Sequence, residues 1–307
     1  MIRKLLLTLC CIALPLAATP LKLQLKRDAE QLQFNYQFQV NAEPQQLSFS
    51  LDNQSLSNHF RQFRALKPAL LQQYLWRDAR AYVAQYPGAR LQRLPGSDSL
   101  RYRLQAPAEL SAKLETELSQ LLQTQQQHYL QQHYYYAITL PLGEQVIIPD
   151  HQRLMQDSLS ALLPVANALH QKLMNLPSRQ SVAYISHWLQ QIPYQDLSDR
   201  AESAGSSFSP PLKLLQENRG DCDSKAVLLA ALVRMLLPDV KLAMIYLPQH
   251  AMLALQLPVQ SSDDAVTIDG RDYLLLDPTG PALLPPGEIS PQYRIYTQNG
   301  QFAYRLL

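Results

Sequence analysis

The sequence predicts an α+β protein, and three observations carry that expectation. Residues 21–51 alternate apolar and polar side chains, the period of half-buried strands. Residues 219–237, RGDCDSKAVLLAALVRMLL, place Ala226, Leu229, Ala230 and Val233 at the three- and four-residue spacing of a helix. At least four short apolar or β-branched runs, separated by turn residues, follow that helix. With 307 residues, 47% of them hydrophobic, the chain can bury one or two cores.

In chain order, Arg3 and Lys4 precede an apolar run from Leu5 to Leu14, and the small residues Ala17 and Ala18 follow. This is the layout of a secretory signal peptide over residues 1–18, so a periplasmic or secreted mature chain is expected. The run is shorter than the roughly 20 apolar residues of a membrane-spanning helix, and no later stretch approaches that length. Cys10 and Cys11 leave with the leader, and neither follows the small residue of a lipid-attachment site. Cys222 is then the sole cysteine, and an unpaired thiol in an oxidising compartment calls for a chemical reason. The chain has 27 Lys and Arg against 25 Asp and Glu, and losing Arg3 and Lys4 makes the two equal. Near-zero charge argues against a nucleic-acid partner.

Leu21, Leu23 and Leu25, then Leu32, Phe34, Tyr36, Phe38 and Val40, predict an antiparallel meander. Residues 55–86 change to helical spacing, with a break expected at Pro68. Residues 90–94 and 100–105 flank Pro95-Gly96-Ser97-Asp98 and read as a hairpin. A Gln- and Leu-rich helix follows from Pro107 to about Gln132, then a strand over 134–140. A domain boundary is placed near 141–149. It separates an N-terminal α+β region, 19–145, from a second domain, 146–307. There Asp150 is expected to cap a helix to about Met174, bent at Pro164, and Ser178 to cap a helix to Gln191. His170 and His187 fall in these helices beside apolar neighbours and read as solvated or core residues.

Residues 192–208 form a long polar loop that can border a cleft, and a short helix begins near Pro210 or Pro211. Beyond the cysteine helix, strands are expected over 241–247, 250–257 and 273–276, with Asp269-Gly270 as a tight turn. Residues 293–306 read as a closing hairpin around Asn299-Gly300.

Gly220 allows a tight approach to the cysteine helix and Asp221 can cap it, so Cys222 stands at the positive helix end, which favours thiolate. A buried structural cysteine is the alternative, disfavoured because Cys222 lies between two aspartates rather than on an apolar face. A thiolate enzyme needs an imidazole to move the proton and a third group to orient that imidazole. His250 is the only histidine after Cys222 and begins a strand, while Asp277 closes a later one. If those strands are antiparallel, the carboxylate reaches the ring. Asp196, Asp199, Asp221 and Asp223 can in principle hold a hard cation, but capping and solvation explain them more simply. No spaced Cys or His cluster suggests zinc, and no cofactor or metal is expected.

The segments GDC with its Lys-Ala-apolar helix, HAMLAL, and YLLLDPTG resemble the transglutaminase-like domain of the papain-like cysteine protease superfamily. IPY, a variable loop and LKLLQENRGDC are similar to the segments that precede the cysteine in bacterial members. The resemblance spans roughly residues 178–280. It implies a cysteine helix packed on an antiparallel sheet and a catalytic triad of Cys222, His250 and Asp277. It also implies an enzyme that attacks protein or peptide amides through a thioester, with a protein or peptide as partner. The backbone N–H of Cys222 is one natural oxyanion donor, and a side chain near 191–195 is expected to supply the second. Amine acceptors need a sheltered aromatic channel, whereas Trp188 has core spacing and the loop before Cys222 is polar, so hydrolysis is expected to exceed cross-linking. The alternative function is an inert scaffold of the same fold that binds peptides or a partner protein.

Overall fold

The computed structural model describes residues 21–307 except 62, 96–99, 142 and 198–207. The expected leader, the core of the 95–98 turn and most of the 192–208 loop lie outside these residues. Among the described residues no helix is long and apolar enough to cross a membrane.

The architecture is mixed α+β with antiparallel sheets. Strands β1 (Lys22–Arg27), β2 (Gln31–Val40) and β3 (Glu43–Asp52) form the expected meander. Its alternation buries one face, with Phe34 opposite Phe49 and Tyr36 opposite Leu47. Asp52 caps the short helix α1 (Asn53–Asn58) by accepting from the Ser55 N–H at 2.6 Å. The helical stripe beyond it resolves differently, because Pro68 is the first residue of α2 (Pro68–Val83). Proline lacks the N–H that the first turn leaves unused, so it begins this helix rather than bending a longer one. β4 (Arg90–Arg93) pairs with β5 (Tyr102–Gln105), and α3 (Ala108–Gln132) packs against α2.

Residues 145–149, inside the expected domain boundary, form a strand. β6 (Tyr135–Thr139) and β7 (Gln145–Pro149) are a hairpin, so the expected boundary passes through paired strands. Pro164 likewise divides the expected bent helix into α4 (His151–Ser158) and α5 (Leu163–Leu173). Asp150 caps α4 as anticipated. Ser178, by contrast, lies inside α6 (Ser178–Gln191), whose cap position is Pro177. α6 docks directly on the N-terminal sheet: Trp188 meets Tyr36 edge-on at 5.2 Å, and Gln191 exchanges two hydrogen bonds with the Gln39 backbone. One core therefore runs from β2 and β3 through α5 and α6 into the cysteine helix.

After α7 (Pro211–Glu217) comes α8 (Cys222–Leu236), and then β8 (Leu242–Leu247), β9 (His250–Leu255), β10 (Ala265–Ile268) and β11 (Arg271–Leu276). Residues 291–298 are helix, not strand. Pro291 opens α9 (Pro291–Gln298), and Tyr293 and Tyr296, one turn apart, pack on the sheet. That tertiary contact overrides the strand preference of the tyrosines. β12 (Ala303–Leu306) then pairs with β8 at the edge of a five-stranded antiparallel sheet, order β10-β11-β9-β8-β12. The core that contains α8 covers one face of this sheet and α9 packs on the other, which is why LAMIYL and HAMLAL are apolar at every or nearly every position.

Candidate active site

The cysteine helix is placed by its own first turn and by a neighbouring strand-like segment. Asp221 accepts from the Ser224 N–H at 3.2 Å, and Ser224 Oγ in turn accepts from Ser209 N–H at 2.8 Å. Gly220 sits against Leu214 so closely that a Cβ would approach Leu214 Cδ1 to 2.7 Å. It forms a parallel bridge with Tyr194, and Gln195 N–H donates to Gly220 C=O at 3.1 Å. Tyr194 is thereby fixed two residues from the start of the cysteine helix.

His250 opens β9 and Asp277 follows β11, strands that pair antiparallel with Leu276 opposite Leu253. The expected meeting occurs: His250 Nε2 lies 2.8 Å from Asp277 Oδ2, and Asp277 Oδ1 accepts from Thr279 N–H at 3.0 Å. Burial acts to raise the Asp277 pKa, but the His250 and Thr279 hydrogen bonds outweigh it and hold the carboxyl below its ordinary value. An ionised carboxylate only accepts, so Nε2 carries a proton and Nδ1 is the ring nitrogen not engaged by Asp277. Cys222 and His250 line one cavity of about 740 Å³.

The thiol itself is not activated by its helix end in the resting site. Burial, then the charges of Asp223 and Asp221, push the Cys222 pKa well up, against the downward pull of the Ala251 and Asp223 backbone. The expected preformed thiolate is thus replaced by a neutral thiol. Asp221 is itself pushed up to about 9, first by burial and then by Asp223, and Asp223 is also raised by burial. Close carboxylates in a dry site retain a proton between them.

Four further residues shape the site, none singled out by sequence reasoning as functional. His151, the first residue of α4, is buried and bridges Tyr246 Oη at 2.9 Å to Asp223 Oδ2 at 3.0 Å. Burial lowers its pKa to about 4 and keeps it neutral. Tyr293 of α9 stacks flat on the His250 ring, centroids 4.1 Å apart, and limits how the imidazole can tilt. Gln190 Nε2 donates to Asp277 C=O at 2.7 Å and to Leu284 C=O at 2.9 Å. Lys225, three residues along α8 from the cysteine, is 0% exposed and donates to Ile192 C=O and Thr279 C=O, both at 2.6 Å. It ties the cysteine helix to both the Tyr194 segment and the Asp277 turn. That turn packs so tightly on α6 that a Cβ at Gly280, φ +69°, would fall 1.9 Å from Gln190 C=O.

Within 191–195, Gln191 is engaged with Gln39 and His187 C=O. Tyr194 lines the cavity beside Cys222 and is 51% exposed. Trp188 is fully buried core, His187 is buried in α6 and His170 is exposed. Asp221 and Asp223 are engaged in capping, and Asp199 lies outside the described residues.

No protein-family model and no curated protein matches the chain. What the side chains offer is a thiol, an imidazole oriented by a carboxylate, and a tyrosine, with Cys222, His250 and Tyr194 lining one cavity.

The shared proton makes a stability prediction. Between the ordinary 3.8 and about 9, folded Asp221 keeps a proton that the unfolded chain has lost. Unfolding then takes up fewer protons than folding retains, and stability falls as pH rises through that window. Asp221→Asn keeps a capping oxygen and removes the charge, so its pH–stability curve from pH 5 to 9 in urea denaturation is expected to be flatter than wild type. Parallel curves would refute the shared proton.

Proposed function

We propose that the protein is an exported, transglutaminase-like cysteine enzyme of the papain-like superfamily, which hydrolyses protein or peptide amides through a thioester. The observation that carries this is the His250–Asp277 pair at 2.8 Å, facing the same cavity as Cys222 at the head of α8. The cysteine helix on an antiparallel sheet supports the papain-like reading of the fold. The signal-like residues 1–18 and the lone remaining cysteine support export.

The chemistry follows from the neutral thiol. As Cys222 Sγ attacks the amide carbon, its proton passes to His250 Nδ1, and the imidazolium formed is stabilised by Asp277. The carbonyl oxygen becomes an oxyanion, to which the Cys222 backbone N–H, unused by the helix, and the Tyr194 hydroxyl donate. Partial burial raises the Tyr194 pKa to about 12, ahead of the neighbouring Cys222 and carboxylates, so it stays a donor. On collapse the C–N bond breaks, Nδ1 returns the proton to the leaving amine, and an acyl thioester remains. Water, deprotonated by Nδ1, then releases the acid and restores the thiol. Trp188 is core and provides no aromatic acceptor channel, so water is favoured over an amine.

A second reading draws on the burial and the two carboxylates that push the thiol pKa up: an inert scaffold that binds peptides or a partner protein. One experiment separates the two. A Gln- or peptide-amide substrate is offered with a lysine-like amine, products are identified by mass spectrometry, and Cys222 alkylation is timed in wild type and His250→Ala. Acid product and slower alkylation of the variant are expected. Predominant isopeptide would make the protein a cross-linker, and no product with equal alkylation rates would make it a scaffold.

A further inference from the structure

The hairpin β6–β7 brings an apolar wall to the nucleophile. Pairing sets Ile138 directly opposite Val146 and Tyr136 opposite Ile148, so these side chains share one face. Ile138, Val146 and Ile148, with Leu140 just beyond β6, line the cavity that contains Cys222 and His250. All four are half-buried, while Ala137 and Thr139 on the opposite face are exposed. The base of this face is pinned by Tyr136 Oη to Tyr246 Oη at 2.9 Å, on the strand that turns into His250. The wall and the nucleophile are therefore held in one frame.

A hairpin ordinarily buries its apolar face against its own protein. Here Ile138 and Ile148 pack only in part against the main core, and the face stays half-exposed where it lines the cavity with the thiol. Whatever occupies the cavity must present a carbonyl to Cys222, and its neighbouring side chain then meets these aliphatics. The same cavity is also lined by Asp196, Asp221 and Asp223, which disfavour an acidic neighbour. We propose that the β6–β7 face is the substrate-selecting wall, and that it recognises an aliphatic or aromatic side chain flanking the amide that is attacked. This rests on Cys222 being the nucleophile.

The test uses the full mature chain and two peptidyl vinyl sulfones that differ only in the side chain next to the electrophile, leucine or glutamate, with iodoacetamide as a probe that needs no wall. Cys222 labelling by the leucine probe is expected to be at least about tenfold faster than by the glutamate probe. Ile138→Asp is expected to cut the ratio of the leucine rate to the iodoacetamide rate by about tenfold or more, the ratio cancelling any effect of the new carboxylate on the thiol itself. Val146→Thr is nearly isosteric and keeps the strand preference, so a smaller loss of the same kind guards against misfolding of the aspartate variant. Equal leucine and glutamate rates at a reactive Cys222 would overturn the proposal. So would an unchanged or higher leucine-to-iodoacetamide ratio in both variants, the result expected if the chain itself covers the face. Failure of the nucleophile reading is separate: iodoacetamide would then react equally fast in wild type and His250→Ala.

Discussion

Cys222→Ala is expected to abolish turnover while leaving the fold in place. In the proposed mechanism its sulfur is the atom that forms the thioester, and no other cysteine follows residue 11. Loss of a covalent nucleophile costs about ten-thousandfold or more, because the remaining groups then act only by binding and oxyanion stabilisation. The thiol is half-buried at the first residue of α8, unlike the fully buried Leu228, Leu229 and Leu232 beyond it. Removing one sulfur there leaves little cavity, and a stability change within about 1 kcal/mol is expected. Turnover on a peptide amide and the urea midpoint, measured on the same preparation, decide it. Activity above about 1% of wild type would move the nucleophile elsewhere. A collapse of the midpoint would make Cys222 a structural residue.

Lys225→Met should be the most damaging conservative change in the second half of the chain. Methionine fills nearly the same volume, so no large cavity confounds the result. It does leave Ile192 C=O and Thr279 C=O buried without the donor they share at 2.6 Å. Two unsatisfied buried acceptors cost about 2–4 kcal/mol. Turnover should also fall, because Thr279 supplies the N–H that holds Asp277, and Ile192 leads to Tyr194. The pH dependence gives a second readout. Burial pushes the Lys225 pKa down to about 8 from 10.5, so between these values the unfolded chain binds a proton that the folded chain does not. Stability contributed by this group therefore rises with pH from 8 to 10.5 and is lost as pH falls back. The wild-type minus variant difference in unfolding free energy should grow across that window. A variant of wild-type stability with a flat difference would show that the ammonium holds neither segment.

Several features were legible because they depend on near neighbours. The 21–51 meander follows from side-chain alternation, and Asp221 caps the helix three residues before the N–H it accepts. His250 and Asp277 were readable as a pair because each stands at a strand end and the intervening turns are short enough to make the strands antiparallel. Other features belong to distant partners. His151 reaches Asp223 from another helix, and Lys225 spans to residues 33 and 54 positions away. Nothing at residue 151 or 225 distinguishes those side chains from an ordinary helical histidine or lysine.

By itself the sequence determined the order of strands and helices in most of the chain, the cap that starts α8, and the residue types able to carry thiol chemistry. These are matters of periodicity and local hydrogen bonding, decided within a few residues. Tertiary structure alone decided that 291–298 is a helix, because its tyrosines bury against the sheet rather than pair beside it. It alone placed the hairpin wall before Cys222. It also reversed the charge state of the thiol: the helix end is a local influence that favours thiolate. Asp221 and Asp223 flank Cys222 in the sequence already, but burial exists only once the chain has closed around the thiol, and it is the largest influence pushing the Cys222 pKa up against the helix end.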